Sequence, residues 1–194
     1  MKNPYYFLEK YIDDPNIDIG STITLWNTNS FVKLSKQEIE KAEKYMGCPF
    51  PSQLRQFYEE IGYGNLTTPH NPSEDYHFYG ANEIFPPIVA AHFYKGIIEH
   101  HTIEEKKDAL DYNGDYFFSR ETLEYTTPGD LPFFEIGDSS SFLMMKPQSS
   151  NPNAVYSEFG VLVEEEFSNF IWKLYYKSPS YYNDVLAEHY GIEG

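Results

Sequence analysis

The chain has 194 residues, 41% of them hydrophobic and 18% aromatic, which excludes a disordered protein and supplies enough apolar mass for one sizeable core. Thirty acidic residues against fourteen Lys and Arg leave a net charge of −16, a field that repels nucleic acid and anionic membrane and draws basic partners inward. A single cysteine, Cys48, excludes an intrachain disulfide and a cysteine-built zinc cage.

In chain order, residues 1–34 read as an N-terminal extension packed on the domain that follows. "YYFLEKYIDDPNIDIG" starts as an aromatic-rich short helix or turn broken at Asp14-Pro15, and Ile23 to Trp26 read as extended. "SKQEIEKAEKYMG" is a helix: Ser35 and Glu38 have capping-box spacing, Ile39, Ala42 and Met46 recur at helical intervals, and Gly47 is placed to stop it in a left-handed turn. Cys48-Pro49-Phe50-Pro51 cannot continue that helix, because each proline disfavours helical geometry in the residue before it. Pro51 suits the first position of a second helix, reaching Ile61, that puts Leu54, Phe57, Tyr58 and Ile61 on one face. Gly62 and Gly64 end it, so the two helices form a tight corner buried on its apolar side.

Beyond Asn65 comes a polar loop, then a short strand in "YHFYG" and helical pieces after Pro87 that form an insert near residues 86–110. The Asn-Gly of "YNGDYFF" is a hairpin signal. From Leu131 the pattern turns to strands: "FFEIG", "SFLMMK", "AVYSE" and "FGVLV" are short apolar runs separated by Gly, Pro, Asn and Ser. "EEEFSNFIWKLYYK" returns to helix, with Phe167, Phe170, Ile171, Leu174 and Tyr175 on one face, and a last short helix spans about Ser180 to His189. Helices, then antiparallel strands, then helices predict an α+β fold: a central antiparallel sheet covered by helices, in a single domain over residues 35–194.

The search for chemistry returns negatives. Gly137 to Phe142, "GDSSSF", offers three serines but lacks the spacing of a nucleophile elbow, and between two apolar runs it reads as a hairpin turn. Asp111, Asn113 and Asp115 start like a calcium loop, yet the glycine and the terminal glutamate that such a loop needs fall at Tyr116 and Thr122. His100 and His101 are adjacent, so on a helix they point about a hundred degrees apart and do not converge on one ion. Cys48 follows a helix C-terminus, whose partial negative charge disfavours a reactive thiolate. No enzyme activity, cofactor or metal is expected. With neither a signal-peptide start nor an apolar run of roughly 18 residues, the chain is expected in the cytoplasm.

The combination "SKQEIEKAEKYMGCPFPSQLRQFYEEIGYGNL" resembles the hallmark of the SUKH superfamily, the Smi/Knr-like proteins: a capped helix, Gly, an apolar-Pro start, and a second helix ending in a Gly-rich turn. "LPFFEIGDSSSFLMMK" is similar to the family's strand–turn–strand unit, and "AVYSE…EEEFSNFIWKL" to its last strand and closing helix. The resemblance runs from about Ser35 to Leu174. It implies an α+β fold without catalysis and, as in many bacterial members, an immunity protein that neutralises a cognate toxin domain, often a nuclease. A regulatory adaptor with endogenous partners is the alternative.

The acid excess is uneven: seven acids against six bases in residues 1–50, and 23 against eight in residues 51–194. Solubility alone would explain it, and so would a basic protein partner. On the second reading the expected contacts are Glu59 and Glu60 on the second helix, Tyr63 and Asn65 on its turn, Asp75 and Tyr76 in the next loop, and Asp138 and Ser139 in the Gly-Asp turn. Aromatic anchors among acids suit such an interface. Neither nucleic acid nor membrane is an expected partner, and the oligomeric state is open between monomer and weak dimer.

Overall fold

The computed structural model describes residues 3–13, 29–66, 82–102, 125–136, 141–178 and 180–191. After a 3-10 helix, Tyr6–Tyr11, come β1 (Ser30–Val32), α1 (Lys36–Met46), α2 (Ser52–Glu60), β2 (Tyr63–Leu66) and β3 (Asn82–Ile84). Next are α3 (Pro87–Thr102), β4 (Leu131–Ile136), β5 (Ser141–Met145), β6 (Val155–Ser157), β7 (Leu162–Glu164), α4 (Phe167–Tyr176) and α5 (Tyr181–Tyr190). The strands form one seven-stranded sheet in the order β1 to β7, each pair antiparallel. This is the expected α+β arrangement.

The helix corner forms as its punctuation dictates. The Ser35 Oγ accepts from the Glu38 N–H at 3.3 Å, the Glu38 carboxylate accepts from the Ser35 N–H at 2.8 Å, and Gly47 closes α1 in the left-handed conformation. Ser35→Ala is expected to cost about 1 kcal/mol in a urea melt, the usual worth of a side-chain cap. Pro51 sits one position earlier than expected, as the N-cap of α2, because its own ψ of 136° keeps it outside the first helical turn. Arg55 braces the corner, reaching Glu43 on α1 at 3.1 Å and Glu59 on its own helix.

Two-residue alternation sorts each strand onto two faces. Register places Phe31, Gly64, Ile84, Phe134 and Leu143 in one row across the sheet. Over that face lie α2, α4 and α5: Phe57 meets Phe31 edge-on at 5.8 Å and Phe167 at 5.6 Å, Phe134 meets Phe170 at 5.2 Å, and the Tyr182 hydroxyl donates to Asn82 at 3.1 Å. The apolar face read for α4 is buried as a whole, from Phe167 to Tyr175. Tyr5, fully buried, brings the 3-10 helix onto the same core through Phe57 and Phe167. Ile12 then bridges Phe31 in parallel, and the Asp13 N–H donates to the Phe31 carbonyl at 2.9 Å. That contact covers part of the outer edge of β1, which would otherwise offer unpaired backbone groups.

Three strands differ from expectation. β1, β2 and β3 have three or four residues each, too short to show an alternation, and two glycines make β2 read as a helix stop. The strand expected in "YHFYG", the extended segment Ile23 to Trp26 and the "YNGDYFF" hairpin lie outside the described residues.

Candidate partner-binding surface

The described residues cover the opposite face of the sheet only in part. There the cross-strand row is Ser30, Asn65, Glu83, Glu135 and Phe142. Helix α3 packs against both β4 and α1. Between α3 and strands β3 to β5 lies a groove of 310 Å³, floored by Glu83, Glu135 and Phe142 and walled by Phe85, Val89 and Phe93. Three rings build its apolar end: Phe85 lies 5.2 Å from Phe93 and 5.8 Å from Phe142, and Phe93 lies 6.0 Å from Phe142. Phe85 is held in position from the other layer, since the buried Tyr58 hydroxyl on α2 donates to its carbonyl at 2.9 Å.

Glu83 and Glu135 are directly opposed on neighbouring strands. Burial pushes both carboxyls above their ordinary range, and the Glu135 charge pushes Glu83 further. Among the described residues no cation or hydrogen-bond donor pairs with either carboxylate. Like charges facing each other across a strand pair are destabilising.

A raised carboxyl contributes stability that is fully present below the ordinary value of 4.5 and is lost as pH rises through the folded-state value. Glu83→Gln removes that loss. The variant is expected to be more stable than the parent by about 0.5 kcal/mol near neutral pH, the scale of a cross-strand charge pair. The difference should vanish in acid, where both states of the parent hold the proton. Thermal melts at the two pH values measure it, and a parent that is the more stable at neutral pH contradicts the assignment.

Of the residues expected at an interface, Asn65 lies beside Glu83 in the same row, and Tyr63 stands two residues away on the same face, opposite Val32. Glu59 and Glu60 end α2, which belongs to the covered face. Glu59 is ion-paired to Arg55, Glu60 is exposed, and the Lys33 ammonium donates to both their carbonyls at 2.8 and 2.5 Å. The structure therefore joins Tyr63 and Asn65 to the open face and leaves Glu59 and Glu60 on the helix that covers the other one. Asp75, Tyr76, Asp138 and Ser139 lie outside the described residues. Sequence reading missed Glu83 and Glu135. The available signal was a glutamate interrupting each of two apolar runs, "NEIF" and "FFEI".

Among the described residues the groove lining brings two carboxylates and aromatic walls, with no Ser, Cys or His. Among the described residues no three His, Cys, Asp or Glu side chains gather to hold a metal. No described helix is long and apolar enough to cross a membrane.

Comparison with known proteins matches residues 33–173 to the model of the SMI1 / KNR4 family (SUKH-1). The chain is also similar to the immunity protein YxxD of Bacillus subtilis (strain 168). The two are 24% identical over 160 residues, covering 82% of this chain and 92% of that protein.

Proposed function

Because the chain belongs to the SMI1 / KNR4 (SUKH-1) family, we propose that it is an immunity protein that binds and neutralises a cognate basic toxin domain of the nuclease type. It does so in the cytoplasm and without catalysis. The likeness to an immunity protein over most of both chains supports the immunity-type reading. The observation that supports a basic partner is the open sheet face, where Glu83 and Glu135 have no cation beside them among the described residues, in a chain of net charge −16. A basic domain covering that face would relieve the repulsion and block its own substrate groove, while the long-range field speeds encounter.

Toxicity rescue tests the reading directly. Cells expressing the cognate toxin domain should survive only when this chain is co-expressed, and the purified pair should form a stoichiometric complex. Capture of several endogenous proteins and no toxin would instead support a regulatory adaptor. Turnover of a small substrate by the purified chain would contradict the non-catalytic reading.

The end of α2 makes its own prediction. Glu60→Lys reverses an exposed charge that carries no ion pair among the described residues, so it should slow association roughly threefold at low salt with little effect on dissociation. Stopped-flow rates across a salt series measure this. An association rate indifferent to ionic strength would contradict electrostatic steering.

A further inference from the structure

We propose that the groove between α3 and strands β3 to β5 is the seat of one arginine side chain of the protein partner. Its guanidinium spans the Glu83 and Glu135 carboxylates, and its methylene stem lies along Phe85, Phe93 and Phe142. This deepens the protein-binding reading and rests on it for the source of the arginine.

The chemistry of the lining selects the occupant. An uncharged apolar group would leave two opposed carboxylates desolvated and still repelling each other. A hard divalent ion needs six or more oxygen ligands, and the walls are carbon. The site asks for positive charge at the floor and apolar surface beside it, which describes a long basic side chain. Between the two such side chains, arginine fits better. Its planar fork offers several donors in fixed directions, so it can engage two carboxylates at once, and it gives up its hydration more readily than an ammonium does. It also associates with aromatic rings, and three of them line the groove. Among the described residues no Lys or Arg of the chain pairs with either glutamate, so none of these supplies the positive charge that the floor calls for. The volume of 310 Å³ lies at the small end of the range for ligand sites, about 300–1,000 Å³, and accommodates a single side chain.

The test needs no toxin. Side-chain carboxyl resonances of Glu83 and Glu135 in the full chain are followed while three blocked tripeptides are added: Gly-Arg-Gly, Gly-Lys-Gly and Gly-citrulline-Gly. Citrulline keeps the shape of arginine and loses its charge. The arginine peptide should shift both resonances saturably in the millimolar range and bind about tenfold more tightly than the lysine peptide. The citrulline peptide should do nothing. In the Glu83→Gln, Glu135→Gln variant, arginine binding should fall by at least about tenfold. That variant removes a repulsion, so it should fold, and its melting curve confirms this. Citrulline binding as tight as arginine overturns the charge assignment. Equal binding of lysine overturns the choice of arginine. Unperturbed resonances, or binding unchanged in the double variant, overturn the site. Arginine binding by a chain that rescues no cell from a toxin would sink the proposed function and leave this site standing. A toxin complex indifferent to the double variant would do the reverse.

Discussion

Gly64→Ala is expected to unfold the protein or cost it about 4 kcal/mol or more, a large share of the 5–15 kcal/mol that holds a typical domain together. At φ +143° the added Cβ would stand 2.1 Å from the Ser30 carbonyl oxygen and 3.1 Å from the Phe31 Cα. Both are backbone atoms of β1, so no side chain can swing aside. The conformation itself costs an L-residue roughly 1–3 kcal/mol, and relieving the overlap means prising β1 off β2. Gly62 is the same case, with φ +110° and a virtual Cβ 1.8 Å from the Val32 carbonyl oxygen. The two glycines of "EIGYG" thus let the chain leave α2 and pass hard against the edge strand, which aims Tyr63 and Asn65 at the open face. Gly96 in α3 is the control, because nothing lies within 4 Å of its virtual Cβ. Gly96→Ala should stabilise by about 0.5–1 kcal/mol through helix propensity alone. Urea midpoints of the three variants decide the matter, and a wild-type midpoint for Gly64→Ala would refute the close approach of β1 and β2.

Phe57→Ala should cost about 3–5 kcal/mol, the range for deleting a large ring from a closed core. Phe57 is fully buried, and its ring meets Tyr5 at 5.0 Å, Phe31 at 5.8 Å and Phe167 at 5.6 Å, all edge-on. Those partners come from the lead-in to the 3-10 helix, from β1 and from α4. One side chain on α2 therefore ties three distant parts of the chain together. Phe57→Leu, which keeps most of the volume, should cost no more than about 1.5 kcal/mol. A loss below about 1 kcal/mol for the alanine variant would mean that the 3-10 helix and α4 do not share this core. Loss of toxin rescue in Phe57→Ala would report unfolding and say nothing of the interface, so circular dichroism has to accompany it.

The helix corner was legible because its determinants act within one or two turns of chain. The reciprocal bonds of Ser35 and Glu38 are made inside α1, and the apolar stripe of α4 needs only a period to be seen. Strands β4 to β7 were legible as apolar runs between turn residues. Strands β1 to β3 were not, because segments of three or four residues carry no measurable alternation. Their extended form comes from pairing with neighbours, and Gly64, which weakens a strand by propensity, is needed in β2 by the geometry of β1.

The candidate site divides the same way. By itself the sequence determined the acidic excess, the paired helices, the family resemblance and a tyrosine and an asparagine on the turn after α2. Which of those side chains share a surface was decided by tertiary structure alone. Glu83 and Glu135 belong to strands separated by α3 and become neighbours only through sheet register. Phe142 reaches them from the neighbouring β5, and Phe85 from the residue that follows β3. Period and propensity operate over a few residues, whereas a groove between a helix and three strands exists only once long-range pairing has set every register. A shift of one residue would send Glu83 to the opposite face.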